Sequence, residues 1–216
     1  MVDIFNIPSK LIPLPSIFEK EGLGMVKVWR KIGEAKTFAA GYKKSMINQY
    51  FEDPDSGEIV GRDLFFSPVV ACMMLPITED GRVIAVKQFR FGVNQAVLEL
   101  PAGGIDHGET PSEAGNRELR EESGYMAKEI VQLTSGVIFP DPAACSWGYY
   151  PLLGQGCFYE GCPSPDRHEK IEIFLIPLEE WIEKIYSGES RSNLAIATTL
   201  LASHTLKNRE PIRFSF

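Results

Sequence analysis

The 216-residue sequence predicts an α/β protein in which a small antiparallel β extension precedes a larger domain of strands and helices. Three observations predict it. Strand-like runs separated by turn residues occupy positions 25 to 66. Two apolar runs, at 69–76 and 82–90, are joined by Glu79-Asp80-Gly81. A helix with start and stop signals at both ends follows at 111–124, ahead of further strands and two C-terminal helices. At 44% hydrophobic and 24% charged residues, the chain has the composition of one well-buried domain plus an extension.

Residues 1 to 22, interrupted by Pro8, Pro13 and Pro15, read as an extended arm. MVKVWRK and SMINQYFE read as strands, and the turn Asp53-Pro54-Asp55-Ser56-Gly57 leads into EIVGRDLFF. The run VVACMMLP, from Val69 to Pro76, suits a strand covered on both faces. Glu79-Asp80-Gly81 hands it to RVIAVKQFR as a hairpin, and AVLELPAGG follows. Beyond the helix, Glu129 to Ile138 and Tyr149 to Tyr159 read as strands around the loop FPDPAACSWG. The polar loop Glu160 to Lys170 precedes the strand IEIFLI, a helix PLEEWIEKIYSG ending at Gly188, and a last apolar helix over 194–206.

The most informative stretch runs from Gly103 to Tyr125, GGIDHGETPSEAGNRELREESGY. Thr110, Pro111 and Glu113 form a capping box with proline at the first helical position, so a helix begins at 111 and stops at Gly124. Its last turns carry Glu118, Glu121 and Glu122, reachable from one side, at a helix end whose dipole favours positive charge. A solvated acidic face balanced by Arg117 and Arg120 is one explanation. Against it stand glycines at 103, 104 and 108, which suit close approach of backbone to a ligand. Hard cations such as Mg²⁺ take carboxylate and carbonyl oxygens and keep waters that a phosphate can replace. The combination reads as a metal-diphosphate site.

The pattern Gly103-x5-Glu109-x7-Arg117-Glu118-Leu119-x-Glu121-Glu122-x-Gly124-Tyr125 resembles the signature box of the Nudix hydrolases, with nine specified positions within 23 residues. Gln88-Phe89-Arg90 and Leu98-Glu99-Leu100-Pro101-Ala102-Gly103 are similar to the ADP-ribose pyrophosphatase branch, over roughly residues 60 to 203. The resemblance implies an α/β/α sandwich with a mixed sheet. It divides the chain into an arm and β extension at 1–60, a Nudix hydrolase domain at 61–206 and a tail at 207–216. It implies Mg²⁺-dependent cleavage of a nucleoside diphosphate sugar, ADP-ribose first, with Mn²⁺ able to substitute. Another nucleotide sugar or dinucleotide is the alternative substrate, and a non-catalytic ADP-ribose sensor the alternative class.

The implied metal ligands are Glu118, Glu121, Glu122 and the Ala102 carbonyl. Arg117 orients the carboxylates and Glu109 braces the loop. Arg90, Glu99, Gly104 and Pro142 are implied on the substrate side, with Glu99 alternatively an ordinary strand acid in solvent and Pro140 the alternative to Pro142. Trp147 either stacks on a base or packs in the core. The general base is implied in the loop before IEIFLI, where Glu169 comes first and Asp166 second. Where the family often places two acids one residue apart, this chain has Arg167 and Glu169, and Arg167 is no base at neutral pH. The branch also builds a homodimer through its β extension.

The net charge of −7 and the lack of a Lys/Arg cluster argue against a nucleic-acid partner, so phosphate binding should depend on metal. No apolar run approaches 18 residues and the first 20 residues carry prolines and charges, which predicts a cytoplasmic protein without a membrane partner. Cys72, Cys145, Cys157 and Cys162 form no C-x-x-C pair and are expected as reduced thiols. Cys157, Cys162 and His168 can be drawn as three zinc ligands, but their spacing is irregular and a fourth ligand is missing.

Overall fold

The computed structural model describes residues 27–41, 44–167 and 169–208. The expected N-terminal arm, His168 and the tail beyond 208 lie outside the described residues. Two sheets and three helices make up the described fold. A three-stranded antiparallel sheet, β1 (Arg30–Gly41), β2 (Lys44–Glu52) and β3 (Ile59–Phe66), comes first in the chain. The main sheet contains β4 (Ala71–Thr78), β5 (Arg82–Arg90), β6 (Gln95–Glu99), β7 (Ala102–Gly104), β8 (Tyr125–Met126), β9 (Glu129–Gln132), β10 (Tyr149–Tyr159) and β11 (Ile171–Pro177). Its helices are α1 (Pro111–Ser123), α2 (Leu178–Tyr186) and α3 (Asn193–Asn208).

The sheet is mixed because β10 runs parallel to β4 while β5, β8, β9 and β11 pair antiparallel. Side chains alternate across a strand, and β4 divides its residues between two cores accordingly. Cys72 and Met74 join Ile84, Leu152, Ala114 and Leu119 under α1. Met73 and Leu75 join Val83, Ala85, Leu153, Trp181 and Ala202 under α2 and α3. A continuous apolar run is what a strand covered on both faces requires, and the α/β/α sandwich follows.

Helix α1 forms where its signals place it. The Thr110 hydroxyl accepts from the Glu113 N–H, the Glu113 side chain accepts from the Thr110 N–H at 2.8 Å, and Gly124 closes the helix at φ 77°. Its Gly115 lies against the sheet, where a Cβ would fall 2.4 Å from Leu152. Any larger residue would have to displace the Leu152 and Met74 side chains or lift α1, and with it the carboxylates of its last turns.

Several boundaries differ from the sequence reading. The first strand begins at Arg30 and runs to Gly41, through residues assigned to no element, because its pairing with β2 is broken by irregularities at Ile32/Lys36 and Thr37/Ala39 that blur the alternation. β9 stops at Gln132, and only Ile138 of the expected strand to 138 pairs again, with Tyr149. The β4–β5 hairpin holds only next to its turn, at Ile77 and Val83. Beyond it the strands part, β6 pairs with β5, β7 pairs with β4, and the Pro101 carbonyl accepts from the Met74 N–H at 3.0 Å. Pro101 lacks an N–H, which is why AVLELPAGG breaks into two strands there.

The three-stranded sheet touches the main domain where Phe65 pairs with residues 144–146, its N–H donating to the Ala144 carbonyl at 2.7 Å. β1 is one of its two edge strands and, apart from Ile32, exposed along its length.

Candidate active site

The parting of β4 and β5 opens one end of the sheet, and the last turns of α1 lie over it. Gly103 is the closest point. A Cβ there would fall 2.0 Å from the Glu118 carboxyl carbon, so only glycine lets the carboxylate rest on the loop backbone. Glu122 reaches the same loop from the next turn and accepts from the Ala102 N–H at 3.3 Å.

Arg117 holds the rest of the loop in place. Its Nε and Nη2 donate to the two oxygens of Glu109 at 2.8 and 2.9 Å, a bidentate fork. Nη2 also donates to the Gly104 carbonyl at 2.8 Å, while Nη1 donates to Glu118 Oε1 at 2.7 Å and Glu121 Oε2 at 3.2 Å. Arginine ahead of glutamate is the weaker order along a helix, and here the Glu109 fork, from outside the helix, fixes the guanidinium instead. The Arg117 contacts hold the Glu109 carboxyl down at about 2.

Glu122 has no such partner. It is 2% exposed, and among the described residues no cationic side chain pairs with it. Burial pushes its carboxyl well above the usual carboxylate range, and the charges of Glu118 and Glu169 push it further. Glu118 is raised first by burial, opposed by Arg117, and raised again by Glu121 and Glu169. The site thus buries a carboxyl, Glu122, with which no cationic side chain among the described residues forms an ion pair. Burial and the Glu118 charge also push the Cys72 thiol up to about 12, its Sγ lying 3.8 Å from the Gly103 carbonyl.

On β5 and β6, Arg90 Nε donates to Glu99 Oε1 at 2.5 Å. Glu99 is 4% exposed, so it is not a strand acid in solvent. Burial raises its carboxyl and Arg90 opposes the shift. The Arg90 charge also reaches Glu122, which draws this pair into the same electrostatic group. Glu169 stands exposed on the 160–170 loop, its charge felt by both Glu118 and Glu122. Its Oε2 accepts from the Asp166 N–H at 3.3 Å. The loop's first half is tied to the end of α1 by the N–H groups of Glu160 and Gly161 on the Gly124 carbonyl and of Ser164 on the Glu121 carbonyl.

Not every expected residue joins this group. Pro142 is exposed in the 141–145 turn, which meets β3 rather than α1. Trp147 is half-buried and packs against the core beneath α2 and α3. Cys157 is buried under α1 while Cys162 is exposed, and His168 lies outside the described residues. Two features carried weak sequence signals: Gly115, a glycine inside a helix, and Gln88, a polar residue among apolar ones on β5.

The donor set suits a hard divalent cation. Among the described residues no three carboxylate, imidazole or thiol groups converge to hold an ion as they stand. Arg117, however, takes only one oxygen of Glu118 and one of Glu121, leaving the other of each for a cation beside the unpaired Glu122. Carboxylate and carbonyl oxygens at a buried negative site fit Mg²⁺ or Mn²⁺ better than a softer metal.

The NUDIX domain family model matches residues 67–194. The chain is 30% identical over 161 residues to an ADP-ribose pyrophosphatase of Bacillus subtilis (strain 168), covering 72% of this chain and 85% of that one. It is 27% identical over 143 residues to a methanol dehydrogenase activator of Bacillus methanolicus, covering 66% and 75%. Among solved structures, an ADP compounds hydrolase superposes with a TM-score of 0.75 at 20% identity, covering 88% of this chain and 100% of that one, a likeness of fold.

Proposed function

This chain belongs to the Nudix family and is a Nudix-type diphosphate hydrolase, and from that premise we propose that it cleaves a nucleoside diphosphate sugar with the help of Mg²⁺. The leading substrate is ADP-ribose, which water divides into AMP and ribose 5-phosphate. The observation that carries the reading is the buried, unpaired Glu122 beside Glu118 on a loop cleared by Gly103. Relatives of this fold differ in the activities their names state, so the substrate rests on site chemistry and on likeness to the Bacillus subtilis enzyme.

In this reading Glu118, Glu121, Glu122 and the Ala102 carbonyl hold Mg²⁺, with Mn²⁺ able to substitute. The ion, when bound, supplies charge neutralisation at the diphosphate and makes a water more acidic. Arg117 keeps Glu118 and Glu121 aimed while Glu109 keeps Arg117 in place. Arg90, Glu99 and Gly104 receive the nucleotide side of the substrate, and Pro142 shapes the loop on its sugar side. Glu169 takes the proton from the attacking water: it is exposed, near the cluster, and in no ion pair among the described residues. One P–O bond of the bridge breaks and each product keeps one phosphate.

The extension at 1–60 serves as a dimerisation element for the 61–206 hydrolase domain. The exposed edge of β1, unpaired among the described residues, supports this, since an unpaired edge invites a second strand. No helix among the described residues is long and apolar enough to cross a membrane. A cytoplasmic location goes with a nucleotide-sugar substrate.

A panel of nucleotide sugars and dinucleotides, each with Mg²⁺ and with chelator, tests the reading. Metal-dependent release of AMP and ribose 5-phosphate from ADP-ribose, faster than from other substrates, is expected. Inorganic phosphate as the first product would overturn diphosphate cleavage, and faster turnover of another substrate would replace ADP-ribose.

A further inference from the structure

The loop between β10 and β11 begins as a cap on α1. A helix ends in carbonyls that have no partner within it, and here the loop supplies their donors. The Glu160 and Gly161 N–H groups donate to the Gly124 carbonyl at 2.9 and 3.2 Å, and the Ser164 N–H donates to the Glu121 carbonyl at 2.9 Å. Arg120 pairs with Glu160 at 2.7 Å. The fit is close, since a Cβ on Gly124 would fall 2.0 Å from the Gly161 carbonyl oxygen. The chain then runs Cys162-Pro163-Ser164-Pro165. The rings fix φ at about −65° at 163 and 165, and a following proline keeps Cys162 and Ser164 extended, so each of these residues is restrained. Proline has no N–H, so between 163 and 165 only Ser164 has a backbone donor, and it is spent on the helix. Pro165 alone separates that tie from the next turn. There the Glu169 N–H donates to the Asp166 carbonyl at 2.8 Å, and Glu169 Oε2 accepts from the Asp166 N–H at 3.3 Å.

We propose that Ser164 is a positioning residue: Pro163-Ser164-Pro165 forms a strut, footed on the Glu121 main chain, that sets where Glu169 stands relative to the carboxylates of α1. This rests on the reading of Glu169 as the residue that takes the proton from water. Glu121 joins the two sides of that relation, holding the strut through its carbonyl while its side chain receives Arg117 Nη1 at 3.2 Å. The Glu169 charge reaches Glu118 and Glu122 although Glu169 itself is exposed. An acid on a loose loop would have to be ordered at every turnover, and a strut fixed to the metal helix orders it beforehand.

Ser164→Pro deletes the N–H that foots the strut. Its kcat on ADP-ribose with Mg²⁺ should fall about tenfold, because small displacements of a reacting group are costly in rate. KM and calorimetric Mg²⁺ affinity should stay within about twofold of the parent, with Tm unchanged. Ser164→Ala keeps the N–H and should return kcat to the parent value. The double variant Pro163→Gly/Pro165→Gly guards against a misfolded Ser164→Pro: it keeps the N–H, frees the backbone around it, and should lower kcat about threefold or more with Mg²⁺ affinity unchanged. Because the strut acts through Glu169, Ser164→Pro added to Glu169→Gln should cost no further rate. A parent-like kcat in folded Ser164→Pro, or in the glycine pair, would overturn the proposal. So would an equal loss in the Glu169→Gln background or weaker Mg²⁺ binding, either of which would make the contact a brace for the metal helix. A loss that vanishes in Asp166→Asn and persists in Glu169→Gln would sustain the strut and overturn only the choice of Glu169 as the base.

Discussion

The Glu118 carboxylate rests directly on the backbone of Gly103: a methyl group on that residue would fall 2.0 Å from the carboxyl carbon and 2.1 Å from Oε1. Real atoms do not approach so closely, so the helix and the loop are fitted to each other through the missing side chain. Gly103→Ala must push Glu118 aside or lift the loop. Displacement of about 1 Å at a reacting centre can cost 10²-fold in rate. We expect kcat on ADP-ribose with Mg²⁺ to fall about 10²-fold or more and stability by about 1–3 kcal/mol, as for overpacking elsewhere. Steady-state kinetics with a denaturant titration checks both; a near-normal kcat would show that Glu118 is not held at this spot for catalysis.

Glu122 gives the opposite signs for stability and activity. Its folded carboxyl is raised above its ordinary value by burial and by Glu118 and Glu169. The metal-free fold therefore binds that proton more tightly than the unfolded chain. The stabilisation this brings is fully present below the ordinary value of 4.5 and is lost as pH rises through the higher folded value. Glu122→Gln should flatten that slope and make the metal-free protein more stable at pH 7 than the parent. Turnover with Mg²⁺ should drop by orders of magnitude. Tm in chelator across pH 4 to 8 measures the first and kcat the second; a variant less stable at pH 7 and as active as the parent would contradict both.

Glu109 behaves in the reverse sense. Arg117 lowers its carboxyl to about 2, so its contribution to stability is present above the ordinary value of 4.5 and lost as pH falls from there toward 2. The pair is partly open to solvent, which limits its worth to about 1 kcal/mol or less. Its larger effect should be on rate, because the fork fixes the guanidinium that aims Glu118 and Glu121. Glu109→Gln should lower kcat about tenfold, with a smaller loss of Tm between pH 4 and 2 than the parent shows. Kinetics unchanged within twofold would demote Glu109 to a loop brace without influence on the carboxylates.

The helix and its acids were legible because local rules decide them: Thr110, Pro111, Glu113 and Gly124 set the ends by capping alone. The apolar runs of β4 and β5 likewise declared two covered faces. What stayed hidden depends on contacts between distant segments. Glu99 sits between Leu98 and Leu100, where alternation alone fits a solvent-facing acid. Its burial follows from the parting of β4 from β5 and the pairing of β6 with β5, which no local pattern encodes. The irregular pairing of β1 erased the period that would have marked it as a strand.

The general base gives the last prediction. The charge of Glu169 reaches both Glu118 and Glu122, and in the proposed mechanism Glu169 is the residue that takes the proton from the attacking water. Asp166 is tied to it differently: its backbone N–H, rather than its carboxylate, donates to Glu169 Oε2, and its carbonyl accepts from the Glu169 N–H at 2.8 Å. The turn therefore uses the main chain of one residue to hold the side chain of the other. Asp166→Asn preserves that main chain and should keep kcat within about threefold. Glu169→Gln keeps the shape of the turn and removes the proton acceptor. It should lower kcat about 10²–10⁴-fold, with Mg²⁺ affinity unchanged because Glu169 is no ligand in this reading. Rapid-quench kinetics at saturating ADP-ribose, paired with calorimetric Mg²⁺ titration, separates the two. A crippled Asp166→Asn beside a near-normal Glu169→Gln would move the base to Asp166, and a loss of Mg²⁺ affinity in Glu169→Gln would recast Glu169 as a metal ligand.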